Sequence, residues 1–159
     1  MGKTVTVEVL GIDQIVKDVE TIAQARRLKQ AITTCTAMVE SEAKELCPSN
    51  KFGASIAPLK NTIHMQVRDN DDETIGRVYT NSDHAIYVEF GTGTKGGGHP
   101  KSAELGYTYR TTPWVYTPDG GQHFYRTKGM VARPYMYPAL KRNEQAIKKK
   151  LEDAIRNEI

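Results

Sequence analysis

Cysteine is nearly absent from this chain of 159 residues, which has only Cys35 and Cys47. Twelve residues apart in a helix-like stretch, they stand about 18 Å apart at about 1.5 Å rise per residue, too far for a disulfide. Such usage fits a reducing compartment. Long hydrophobic runs are missing too. Nothing approaches the roughly 20 apolar residues of a membrane span, and the first residues lack the apolar centre of a signal peptide, so neither membrane insertion nor secretion is expected. Met1-Gly2-Lys3-Thr4-Val5-Thr6 meets the loose N-myristoylation pattern, but the alternation from Thr4 to Val9 reads as a strand. A strong charge bias is also lacking, with 22 Lys and Arg against 19 Asp and Glu, a net of +3. Length and charge together point to one soluble domain over 1–159 and exclude a large multidomain enzyme. Hydrophobic residues make up 38% with Tyr counted and Gly left out; with Gly in place of Tyr the share is about 41%, slightly below the roughly 45–50% of ordinary domains. A core can form, with part of the stability expected from partner subunits.

Reactive chemistry is scarce as well. His64, His84, His99 and His123 sit in separate segments, no Cys or His pair has zinc-ligand spacing, and no Ser lies in G-x-S-x-G. Asp69-Asn70-Asp71-Asp72-Glu73 begins like a calcium loop. An EF-hand, however, needs Gly where Thr74 stands and Glu where Thr80 stands, so the run reads as a solvated hairpin tip. Gly91-Thr92-Gly93-Thr94-Lys95-Gly96 matches G-x-G-x-x-G, yet a phosphate cradle needs a helix directly afterwards, which Gly97-Gly98-His99-Pro100 cannot open. A hinge at the base of a long loop explains these glycines. Glu42-Ala43-Lys44 resembles the end of a nuclease motif but falls within a helix, where solvation explains it. No catalytic, cofactor-binding or metal-binding residue is assigned, and no enzymatic activity is expected.

Periodicity supplies the fold. Residues 3–10 alternate as a strand, with Val5, Val7 and Val9 on one face. Ile15, Val19 and Ile22 keep a helical stripe, and Leu28, Ile32, Cys35, Val39, Ala43 and Leu46 keep another. The six-residue step between the two predicts a bend near Arg26, followed by a long helix ending before Pro48. Residues 48–58 read as a loop, 59–68 and 74–80 as a hairpin, and 85–90 as a third strand. Leu140, Ile147, Leu151 and Ile155 mark one face of a closing helix. This order predicts an α+β fold: a mainly antiparallel sheet, with one long and one C-terminal helix packed on one face, plus a long glycine- and aromatic-rich loop over about 95–130. Leu28, Ile32, Val39, Leu46, Ile147 and Leu151 are the expected core.

That loop is the informative stretch. Residues 95–137 hold Tyr107, Tyr109, Trp114, Tyr116, Phe124, Tyr125, Tyr135 and Tyr137, eight of the twelve aromatics. Residues 95–133 carry Lys95, Lys101, Arg110, Arg126, Lys128 and Arg133 against Glu104 and Asp119, a net of +4, so the remainder is net −1. Basic residues among aromatics suit nucleic acid and equally suit a protein interface. A third reading is a hairpin, Thr112 to Tyr116 and His123 to Thr127, packed on its own domain. The candidate interface residues are Tyr107, Tyr109, Trp114, Tyr116, Phe124 and Tyr125. Lys95, Lys101, Arg110, Arg126 and Lys128 are the candidate DNA-facing set.

Two linked signatures, Val88-Glu89-Phe90-Gly91-Thr92 and Ala132-Arg133-Pro134-Tyr135-Met136-Tyr137-Pro138-Ala139-Leu140, resemble the minor tail-component or neck family of long-tailed bacteriophages. The chain departs from that pattern at Cys47-Pro48, in a longer stretch between Gly53 and Leu59, and at Tyr135 and Tyr137, where Phe and Arg are usual. The resemblance implies a structural virion protein at the head–tail junction, assembled in the bacterial cytoplasm. It implies a homo-oligomeric ring, six-fold or twelve-fold, around the DNA channel, with portal or connector and tail proteins as partners, only non-specific DNA contact and no membrane. It gives structural roles to Glu89, Phe90, Gly91, Arg133, Pro134 and Pro138. A DNA-binding accessory protein using residues 95–133 is the alternative. Glu89 is expected to accept backbone N–H bonds at the glycine turn.

Overall fold

The computed structural model describes residues 12–48, 59–70 and 73–156. The expected strand at 3–10 and nearly all of the 48–58 loop lie outside them. Helix α1 runs Ile12–Leu46, about 52 Å at about 1.5 Å per residue. It does not bend at Arg26. No Gly or Pro occurs in its 35 residues, and the Ala, Gln, Arg, Leu and Lys around Arg26 are strong helix formers. Ile22, Ala25 and Arg26 are exposed there, so nothing demands a continuous apolar stripe. The helix carries through on local propensity.

After a short 3-10 turn at Leu59–Thr62, strands β1 (Ile63–Asp69) and β2 (Thr74–Thr80) form an antiparallel hairpin. Its register runs from Ile63 opposite Thr80 to Asp69 opposite Thr74. Beyond the strands, Asn70 N–H donates to the Glu73 carbonyl at 2.9 Å. Asp69 accepts from the Thr74 hydroxyl at 2.5 Å and pairs with Lys29 of α1 at 2.7 Å. Lys29 is the main reason that its carboxyl is held below the usual range.

The segment expected as a third strand is instead helix α2, Ala85–Phe90. Ala85, Val88 and Glu89 are buried, whereas Ile86 and Tyr87 are exposed. That is spacing i, i+3, i+4 on one helical face rather than strand alternation. Strands β3 (Trp114–Tyr116) and β4 (Tyr125–Thr127) form a second, separate hairpin, and α3 (Met136–Arg156) closes the fold.

Helices α1 and α3 pack together and against the β1–β2 hairpin. The core consists of Val39, Ala43 and Cys47 of α1, Leu59, Ile63, Ala85, Val88, Tyr135 and Ala139. Leu46 and Ile147 flank it half-buried, and Leu28, Ile32 and Leu151 are also only half-buried. Leu140 and Ile155 remain exposed, so the expected apolar face of α3 is covered only in its middle. Arg142 on α3 reaches Glu42 on α1 at 2.9 Å.

Candidate functional site

Glu89 lies at the junction of three segments, with its carboxylate almost fully buried. One oxygen accepts the backbone N–H of Tyr135 at 2.8 Å and of Met136 at 3.0 Å, and the other accepts that of Tyr137 at 2.9 Å. These are the leading amides of α3, which a helix cannot satisfy internally. The next residue is Pro138, which has no N–H to satisfy. One carboxylate and one proline thus account for the start of the helix, and the partial positive charge there favours an anion. The donors come from 46 to 48 residues downstream rather than from the adjacent glycine turn. Sequence reading foresaw the backbone bonds but not their source.

His99 completes this joint. Its Nδ1 accepts the Lys101 N–H at 3.1 Å, so Nε2 carries the hydrogen and donates it to Glu89 Oε1, also at 3.1 Å. The ring is buried between Phe90 and Tyr137, with centroid distances of 4.2 and 5.4 Å. Beyond it, residues 99–109 fold back over α2. Tyr107 stacks on Phe90 at 4.8 Å, and the Tyr107 and Tyr109 hydroxyls donate to the Gly91 and Phe90 carbonyls.

Gly91, Gly93 and Gly96 are close-approach positions rather than a hinge, whereas Gly97 and Gly98 stand in open space. Gly91 has φ +74°, and a Cβ on it would lie 2.6 Å from the Ala132 nitrogen. A Cβ on Gly129 would collide with the Thr92 carbonyl. Between these crossings Thr92 and Met130 exchange both backbone hydrogen bonds, at 2.8 and 3.1 Å, and Arg133 N–H bonds to the Val88 carbonyl at 2.8 Å. They fasten the root of the β3–β4 hairpin, which we call the arm.

The arm itself is open to solvent. Val115, Tyr116, Phe124 and Tyr125 are 59, 47, 71 and 48% exposed. Tyr116 lies opposite Tyr125 in the hairpin register. Its tip is ordered by Asp119, which accepts from the N–H groups of Gln122 and His123 and from the Thr117 hydroxyl. These contacts, His123 foremost, hold the Asp119 carboxyl at about 2.

The residues expected at an interface therefore divide. Tyr107 and Tyr109 lie against α2, Trp114 is half-buried at the arm root, and Tyr116, Phe124 and Tyr125 face solvent. The basic set divides similarly. The Lys101 ammonium engages Glu104 and Arg110 lies 5.5 Å from the Trp114 ring, while Lys95, Arg126 and Lys128 are exposed. Phe90, Gly91, Arg133, Pro134 and Pro138 line the path that joins α2 to α3. His99 had no local signal, because its partners lie on distant segments.

Burial pushes the Cys47 thiol up to about 11, with the Glu89 charge adding to it, and also raises Cys35, which makes both poor nucleophiles. Among the described residues, no group of three or more His, Cys, Asp or Glu could hold a metal ion. No described helix is long and apolar enough to cross a membrane.

The described residues thus form a small α+β protein in which a buried Glu89–His99 joint ties segments together and exposed aromatics sit on a braced arm. Residues 12–91, half of the chain, match the family model described as "Bacteriophage HK97-gp10, putative tail-component", and the chain belongs to this family. It is a family of structural phage tail components and not of enzymes. The match includes the first signature through Gly91 and ends before the second. No curated protein and no solved structure matches the chain.

Proposed function

We propose that this tail component forms a ring that joins or completes the head–tail junction around the DNA channel, acting as a single domain over 1–159 with residues 95–130 as its inter-subunit arm. The observation that carries this reading is the arm. Its aromatics are exposed, yet its root is fastened by the Thr92–Met130 bonds and the glycine crossings. An arm so braced presents its side chains without a large ordering cost on binding. Tyr116, Phe124 and Tyr125 are the contact residues, and Tyr107, Tyr109 and Trp114 hold them in place. Portal or connector and tail proteins are the neighbours along the axis, in a virion assembled in the host cytoplasm. Glu89, Phe90, Gly91, Arg133, Pro134 and Pro138 serve as scaffold.

Negative-stain imaging and light scattering of the purified protein test this reading. Closed rings are the expected result, and a monomer at every concentration would refute it. Exposed Lys95, Arg126 and Lys128 support a secondary reading in which the arm touches DNA. A monomer that binds DNA with steeply salt-dependent affinity would favour an accessory DNA-binding role instead.

A further inference from the structure

Among the described residues, a second apolar surface lies uncovered away from the arm. Helix α1, strand β2 and helix α3 enclose an open groove of about 720 Å³, lined mainly by Ile32, Val39, Ile75, Val78, Leu140 and Leu151. Its rim is uncovered, with Ile75 and Leu140 39 and 55% exposed. No arm residue contributes to the lining, so the chain bears two different apolar patches. That arrangement suits a heterologous, head-to-tail contact.

We infer that the groove receives the β3–β4 arm of a second copy of this chain, an inference that rests on the ring reading above. Two observations select this occupant. Hydrogen-bonding edges are free on both sides: among the described residues β2 pairs only with β1, and β3 only with β4, so an arm strand can extend the hairpin. Finally, Arg77, the single charged side chain in the lining, offers a cation to the faces of Tyr116, Phe124 or Tyr125.

The test pairs Phe124→Cys with Leu140→Cys in a chain that also carries Cys35→Ala, because Cys35 is a free cysteine lining the same groove. Under mild oxidation the double variant is expected to give a disulfide-linked ladder that ends at the ring, and each single variant no ladder. Independently, Ile75→Asp, checked for folding by its melt, is expected to weaken self-association about thirty-fold, the loss typical of an interface anchor. Wild-type rings with no ladder and unaltered assembly of Ile75→Asp would overturn the inference and leave the ring reading standing. Rings of Ile75→Asp that form normally but do not enter particles would assign the groove to a different virion protein, which also overturns it. A wild-type chain that never associates would remove both.

Discussion

Glu89 is held by three backbone amides and one imidazole N–H, with no cation among its hydrogen-bond partners in the described residues. Its role depends on both oxygens accepting at once. Glu89→Gln keeps the shape but turns an NH2 group toward N–H donors. It is expected to cost about 2–3 kcal/mol, the scale of hydrogen bonds to a charged group, read as a lower urea midpoint. A loss under about 0.5 kcal/mol, the scale of an ordinary surface change, would mean that the amides find other acceptors. Tyr135 presents the opposite case. Its side chain is fully buried, and among the described residues its hydroxyl has no hydrogen-bond partner. Tyr135→Phe should therefore stabilise by about 1 kcal/mol, and a lower melting temperature would reveal a partner for the hydroxyl. At the arm tip, Asp119 titrates near about 2 in the fold against about 3.9 in an unfolded chain. A depressed carboxyl contributes order above the higher value and loses it as pH falls through the lower one. The side-chain carboxyl shift of Asp119 should show its own protonation step well below the ordinary carboxylate value of about 3.9. A transition centred near 4 would show that the turn does not favour the ionised form.

The elements differ in how plainly their residues announce them. Helix α3 and the two hairpins stand where periodicity and turn residues predict, because their patterns are local. Helix α1 was misjudged at Arg26, where a stripe that pauses was taken for a helix that stops. Exposed positions need no stripe. Arg26→Gly should accordingly cost about 1 kcal/mol, as at any exposed helix interior, measured by thermal or urea unfolding; a neutral result would mean a bend there after all. Helix α2 was misread for a different reason. In Ala85-Ile86-Tyr87-Val88-Glu89-Phe90 the alternating and helical templates both find apolar residues. What decides between them is Glu89, whose buried carboxylate is satisfied by segments far along the chain.

For the whole molecule, the core and the arm make separable demands. Ile63 is fully buried in the core, and Ile63→Ala should lower stability by about 2–5 kcal/mol. Tyr116→Ala combined with Phe124→Ala removes exposed side chains and should leave stability within about 0.5 kcal/mol of wild type, yet abolish head–tail joining in an in vitro complementation assay. A large drop in the melt of the double variant would make these residues part of the fold, and normal joining would remove the arm from the interface. Composition pointed to the arm as the unusual stretch, since basic and aromatic residues gather there. It could not divide packed Tyr107 and Tyr109 from exposed Phe124, because that division depends on where Phe90 lies. The same limit hid the Glu89–His99 joint, whose parts are local to nothing.

The Thr92–Met130 exchange also bears on how freely the intervening chain can change. The two residues are 38 positions apart, and the segment they close carries the His99 contacts near its start and the β3–β4 arm beyond Trp114, its ends tied by backbone atoms and glycines. The entropy of closing such a loop grows only with the logarithm of its length, about 0.6 kcal/mol for each doubling. Segments grafted beyond Trp114 and Thr127 can thus lengthen, shorten or change chemistry while the knot beneath them stays tied. The arm is in this sense an interchangeable cassette, whose specificity can be rewritten without renegotiating the stability of the body that carries it.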